Sequence, residues 1–268
     1  MRIVSWNCKN GLDGKRYETI KEFNADIYVI QKCQKCDFDN FKENWKYGNW
    51  YGDDLGFGNS GIAIFSNNCK VEFSDEFNRN FRYIIPYRIS IDSKQFTLFA
   101  VWTQPVPLYY DENLKKAINY LKYTEIMENS IIIGDFNTRY NNEHEERYKE
   151  LTEHLENFIN CAIFSKSENK STYFSDSKNK SFVNDFCFVS KTLYKSMSNV
   201  NLKIDDIWNK NGYGQKRWKR ISDHCPIILT FDWNDDKTEF IFDSKVAFEV
   251  GGNGLSQKEI ESLLCGVN

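Results

Sequence analysis

SIIIGDFN, residues 130–137, is an apolar run that ends in residues of another kind. Ile131, Ile132 and Ile133 follow one another without polar alternation, the mark of a strand buried on both faces. Gly134 breaks the run, and Asp135, Phe136 and Asn137 come next. The run therefore delivers a carboxylate and an amide to the end of an interior strand. Open α/β folds bind ligands at strand ends, so the neighbouring strands decide what this one means.

Three other apolar runs do the same. RIVSW (2–6) leads straight into Asn7, Asp185 stands inside FVNDFCFV (182–189), and Ser222-Asp223-His224 precedes CPIILTF (225–231). Taken singly, each polar residue reads as a turn residue or a hydrogen-bonded side chain. Four that converge on one end of packed sheets make a site. Further strand-like runs are DIYVI (26–30), GIAIF (61–65), YIIPYRISI (83–91) and FTLFAVW (96–102).

Helical patterns interleave with them. In 111–128, Leu114, Ile118 and Leu121 share a face, with Asp111 placed as N-cap. Residues 144–158 align Tyr148, Leu151 and Leu155, and 17–24 form a shorter helix. This is an α/β class. Residues 83–91 and 96–102 read as a hairpin, as do 61–65 and the segment after them, so the sheets are mixed. The pattern closes near Trp233, which divides the chain into a domain at 1–233 and a C-terminal extension at 234–268.

Length and composition fit this reading. The 268 residues are 41% hydrophobic and 16% aromatic, enough for a large core. A net charge of −3 excludes a general electrostatic grip on long duplex DNA and leaves room only for a local patch. The eight cysteines sit largely in apolar runs, where free thiols pack as small hydrophobes. MRIVSW is not a secretory signal, and no run is long enough to span a bilayer. The expected setting is soluble, reducing and cytoplasmic. Cys33-Gln34-Lys35-Cys36 is a lone C-x-x-C without a second pair or a spaced histidine, so zinc is not expected.

The residue types point to one chemistry. Asp and Asn oxygens are hard ligands suited to Mg²⁺ or Mn²⁺. A histidine backed by a carboxylate can donate to a phosphate oxygen. Together they suggest metal-assisted phosphate-ester hydrolysis.

IIIGDFN (131–137) and SDHCPI (222–227) resemble signatures of the endonuclease/exonuclease/phosphatase superfamily. VSWNCKNG (4–11) is similar to its opening strand, and FVNDFCFVS (182–190) to its Asp-bearing strand. The resemblance runs from residue 1 to about 233. It implies a four-layer α/β sandwich, two facing mixed sheets with helices outside. It also implies roles: Asn7 and Asp223 at a Mg²⁺ or Mn²⁺ ion, Asp135 as general base or orienter of the attacking water, and Asn137 on the phosphate or nucleophile. Asp185 would fix the tautomer of His224, which would stabilise charge on the phosphate. Tyr109 or Tyr110 would be the phosphate-contacting tyrosine.

One position departs from the family. Its second strand resembles Asp-Ile-(apolar)₃-Gln-Glu, and the glutamate is the principal metal ligand. Here the run is Asp26 to Gln31 and then Lys32. A positive charge about 4 Å from an ion costs about 4 kcal/mol per unit of ion charge at an effective dielectric near 20. Metal binding should be weak, and Asp37 and Asp39 lie too far along to replace the glutamate. Three readings stand: an inactivating change in a competent nuclease, a metal-free pseudo-enzyme whose ammonium grips phosphate, or a register one residue off with the lysine in solvent.

The substrate class rests on KRWKR. Lys216, Arg217, Lys219 and Arg220 suit a nucleic-acid backbone, and Trp218 suits stacking. A solvated basic loop is the plainer reading. The sphingomyelinase-like branch places a histidine on the strand before GDFN, and FAVWTQP (99–105) has none. The expectation is a metal-dependent endo- or exonuclease on DNA or RNA, impaired by Lys32. The alternatives are a metal-free nucleic-acid binder and a phosphatase acting on a small phosphate ester. No protein partner is implied.

Overall fold

Parity along the strands sorts the side chains into layers. In β1 (Arg2–Asn7), Ile3 joins a cluster between two sheets, while Val4 and Trp6 join one on the outer side. The computed structural model describes residues 1–9, 11–52, 59–81, 84–104, 110–122, 124–140, 145–167, 170–206 and 221–234. The expected extension beyond residue 234 and the basic stretch 216–220 lie outside them, as does Tyr109.

After β1 come α1 (Gly14–Lys21), β2 (Ile27–Gln34), α2 (Lys35–Phe41), β3 (Tyr47–Gly52) and β4 (Ser60–Ser66). The chain then crosses to β5 (Lys70–Phe73), β6 (Ile84–Ile91), β7 (Lys94–Trp102), α3 (Tyr110–Leu121), β8 (Ser130–Tyr140) and α4 (Glu145–Glu153). It continues through β9 (Phe158–Asn160), α5 (Cys161–Phe164), β10 (Tyr173–Ser175), β11 (Lys180–Ser190) and α6 (Lys191–Tyr194). It closes with β12 (Met197–Ile204) and β13 (Ile227–Trp233).

One sheet has the order β12-β13-β1-β2-β4-β3 and the other β10-β11-β8-β7-β6-β5, with β9 also on β11. β1–β2 and β7–β8 are parallel and the remaining pairs antiparallel, so both sheets are mixed. Ile27, Val29, Ile64, Leu98, Ile131, Ile133, Cys187 and Leu229 fill the space between the sheets. Tyr17 and Ile20 of α1 and Phe38 of α2 cover the outer face of the first sheet. Leu114, Ile118 and Leu121 of α3, with Tyr148 and Leu151 of α4, cover that of the second. The result is the expected helix–sheet–sheet–helix sandwich. Among the described residues, no helix is long and apolar enough to cross a membrane.

Several local expectations change. β4 pairs with β2 and with the preceding β3, while β5 pairs with β6 in the other sheet, so 61–65 makes no hairpin with the segment after it. The turn at 67–69 carries the chain between sheets, with Cys69 N–H bonded to Ser66 Oγ. The first helix is Gly14–Lys21 rather than 17–24, capped by Asp13 through Arg16 N–H. α3 starts at Tyr110, so Asp111 lies inside it rather than capping it, and it stops at Leu121 before a separate 3₁₀ turn at Glu125–Met127. α4 ends at Glu153, although Leu155 beyond it is still buried.

Candidate active site between the sheets

Each acidic strand residue is aimed by the parity of its own strand. Ile131 and Ile133 face the space between the sheets, so Asp135 does too, and Cys187 and Val189 set the same direction for Asp185. The β8–β11 register places Asp135 and Asp185 directly opposite one another. Asn7 shares parity with Ile3 and ends β1 on the same side. Gly134 is what lets β8 approach here. Its φ is +149°, and a Cβ would lie 2.0 Å from the Val101 carbonyl oxygen of β7.

The polar groups meet in one buried cluster. Asn7 Nδ2 donates to Asp135 Oδ2 at 2.7 Å, and Asn137 donates to the same carboxylate through its backbone N–H (3.0 Å) and Nδ2 (3.1 Å). His224 Nδ1 lies 2.9 Å from Asp185 Oδ2, and its Nε2 lies 3.8 Å from Asp135 Oδ2. Asp135, Asp185 and His224 are 1%, 3% and 2% exposed. Their ligand atoms lie within 4.8 Å of one another, close enough to hold a metal ion.

Two carboxylates flank one imidazole, and the charges follow. Burial disfavours the imidazolium, but Asp185 and Asp135 outweigh it and raise the His224 pKa to about 9. Burial raises Asp185 to about 6, with the imidazolium and its hydrogen bond pulling the other way. The arrangement is a buried imidazolium–carboxylate pair, with its Nδ1 committed to Asp185.

Further residues, among them Thr103, Thr172 and Tyr173 that no sequence pattern marked, hold the cluster in place. Thr103 donates to the Phe136 carbonyl, and its N–H bonds the Asp135 carbonyl. Thr172 Oγ1 accepts from the N–H groups of Asn184 and Asp185. The Tyr173 ring lies 4.8 Å from the His224 ring. Ser222 Oγ donates to the Asn7 carbonyl at 2.6 Å, and Trp6 Nε1 to the His224 carbonyl, tying β1 to the Ser-Asp-His segment. Thr172 and Tyr173 sit in the Ser- and Lys-rich stretch SKSENKSTYFSDSKNK, which carries no strand signal.

The remaining predicted residues form a second corner. β2 has a bulge where Gln31 pairs with Ile62 and Cys33 with Gly61, leaving Lys32 as the extra residue at φ 56°. Ile27 and Val29 face inward, so unbroken alternation would put Cys33 inward as well, yet Cys33 packs in the outer cluster. The extra residue therefore leaves Lys32 on the Gln31 side. Lys32 is only partly exposed, and its charge acts on Asp223, so the solvent-facing register does not hold. Lys9, also at positive φ (63°), carries no sequence signal, and its Nζ lies 2.8 Å from Asp223 Oδ2. Burial works against the Asp223 carboxylate, but His224, Lys9 and Lys32 outweigh it and hold its pKa low. Asp37 instead accepts from Leu12 N–H, and Asp39 pairs with Lys35 and Lys42.

This corner does not fit a divalent ion as it stands. Asn7 Oδ1 accepts the Lys9 N–H, Lys9 Nζ holds Asp223 Oδ2, and Lys32 brings a second ammonium. Asp223 Oδ1 and Gln31 Oε1, the latter on the Lys32 side of β2, are buried without a hydrogen bond among the described residues.

No protein-family model and no curated protein matches the chain. Solved structures do match in fold. The 3′-5′ exonuclease NExo from Neisseria meningitidis has TM-score 0.59 at 18% identity, over 87% of this chain and 100% of its own. A humanised TDP2 from D. rerio has TM-score 0.61 at 15% identity, over 87% and 98%. An endonuclease/exonuclease/phosphatase family protein from Leptotrichia buccalis has TM-score 0.59 at 16% identity, over 87% and 99%.

Proposed function

We propose that this chain, built on the endonuclease/exonuclease/phosphatase fold, is a phosphodiester hydrolase acting on DNA or RNA as an endo- or exonuclease, with activity weakened by Lys32. The observation that carries the reading is the preassembled Asp185–His224–Asp135 cluster, with Asn7 and Asn137 on Asp135. Because Asp185 takes Nδ1, the Nε2–H of His224 is free to donate to a phosphoryl oxygen and stabilise its developing charge. The Asp135 carboxylate, fixed by two amides, orients the attacking water and accepts its proton. Mg²⁺ or Mn²⁺ would be held weakly, for the electrostatic reasons at the Lys9–Asp223–Lys32 corner.

The nucleic-acid assignment draws support from a Neisseria 3′ phosphatase of the same fold bound to a product DNA hairpin, with TM-score 0.56 at 16% identity. In this reading Lys216, Arg217, Trp218, Lys219 and Arg220, with Tyr109, contact the substrate strand, the setting is cytoplasmic, and residues 234–268 are an accessory extension.

The test is Mg²⁺- or Mn²⁺-dependent cleavage of single-stranded, duplex and abasic substrates by this chain and by Lys32→Glu. The variant should cleave faster than the parent. If it binds neither ion and cleaves nothing, the hydrolase reading fails. Replacing Lys216, Arg217, Lys219 and Arg220 together by Ala should flatten the salt dependence of oligonucleotide binding.

A further inference from the structure

Lys9 lies just beyond the end of β1, and Lys32 lies at the bulge of the adjacent parallel strand β2. Asn7 of β1 is level with Gln31 of β2, and Cys8 N–H bonds the Gln31 carbonyl. Each lysine comes shortly after and each adopts a left-handed backbone, at φ 63° and 56°. Side chains other than glycine avoid that region, and such conformations cluster where function demands them.

The two ammonium groups are used differently. Lys9 is spent on carboxylates, 2.8 Å from Asp223 and 3.9 Å from Asp176. Lys32 makes no hydrogen bond or ion pair among the described residues, although it is partly buried and its charge reaches the Asp223 carboxylate. With Lys9 already neutralising Asp223, Lys32 keeps three donors and a full charge for something that enters the site. The same corner feels the charge of His224, which also acts on Asp223. Such a cationic corner suits an anion, and on the phosphate-ester reading of the site that anion is a phosphate group.

We propose that Lys32, backed by the Lys9–Asp223 ion pair, is a phosphate-binding residue that lets this site hold a phosphate group without a divalent ion. The inference rests on the phosphate-ester reading of the site, but it concerns binding and not turnover.

The experiment titrates inorganic phosphate and, separately, a short 3′-phosphorylated oligonucleotide into the full chain in EDTA. Lys32→Ala and Lys32→Glu are measured alongside, with circular dichroism to confirm folding. The parent should bind both probes. Lys32→Ala should weaken each by about ten- to a hundredfold, the effect of losing one charged hydrogen bond. Lys32→Glu should lose phosphate and gain Mn²⁺ binding by calorimetry. Affinities unchanged in Lys32→Ala, or a parent that binds Mn²⁺ as tightly as Lys32→Glu, would overturn the proposal. A Lys32→Glu protein that binds Mn²⁺ yet cleaves nothing would sink the hydrolase reading and leave the phosphate site standing.

Discussion

Asp135 and Asp185 face each other across β8 and β11 at one register position, and His224 lies against both. Two buried carboxylates at one level would repel each other if both were charged and unpaired. The imidazolium settles this, bonded to Asp185 at 2.9 Å and 3.8 Å from Asp135. Asp185 is thus placed to hold the ring's charge and tautomer. In the Lys32→Glu background, Asp185→Asn should lower hydrolysis by roughly 10²–10⁴-fold, the range for disturbing a general acid–base partner. It should also lower the His224 pKa in an NMR titration of the ring. An unchanged imidazole titration would remove Asp185 from that role.

The same pair makes stability depend on pH in a defined direction. The His224 pKa is raised from 6.5 to about 9. The folded state then binds a proton that the unfolded state releases between those values. The stabilisation is fully present below pH 6.5 and is lost as pH rises through 9, a loss on the order of 3 kcal/mol. Urea unfolding in EDTA from pH 6.5 to 9 should show a falling midpoint, and Asp185→Asn should flatten the fall. A midpoint that rises across this window would contradict the buried imidazolium.

Gly134 can be tested without touching the chemistry. At φ +149°, with the Val101 carbonyl oxygen 2.0 Å from where a Cβ would sit, a side chain meets both backbone strain and a clash with β7. Gly134→Ala should destabilise the fold by about 2 kcal/mol or more. The urea midpoint checks this, and a neutral substitution would mean that β7 and β8 can separate there at no cost.

The sequence is most readable where strands are central and least where they are edges. β1, β2, β7, β8, β11 and β13 each lie between two neighbours, and their apolar runs announce them. The strands that no run marks include all four sheet edges, β3, β12, β5 and β10, together with β9, which pairs only with β11. Edge strands bury less and carry polar residues, as in Tyr47–Gly52 and Met197–Ile204, so they lack an apolar run. In the site, Asn7, Asp135, Asp185 and His224 are visible because each interrupts such a run. Lys9, Thr103 and Thr172 are not: the two threonines hold backbone groups of their neighbours, and Lys9 reaches Asp223 from a loop, so none of them interrupts an apolar run. The bulge at Lys32 is equally hidden: it is a feature of pairing with β4, and a single strand does not record its partner.

Lys32 offers a final test that separates strain from use. Its φ of 56° suits glycine, and a non-glycine residue there costs about 1–2 kcal/mol. If the lysine is retained for its ammonium, Lys32→Gly should relieve the backbone and remove the charge together. Stability should rise by up to about 1 kcal/mol, because glycine's greater freedom in the unfolded chain offsets part of the relief. Phosphate affinity in EDTA should fall over the same substitution. Lys32→Ala, which removes the ammonium but keeps the strained backbone, should lose phosphate without that gain. A Lys32→Gly protein that is less stable than the parent would show that the aliphatic stem of Lys32 supports the fold by packing. The bulge would then exist to seat that stem, and the ammonium would be incidental to it.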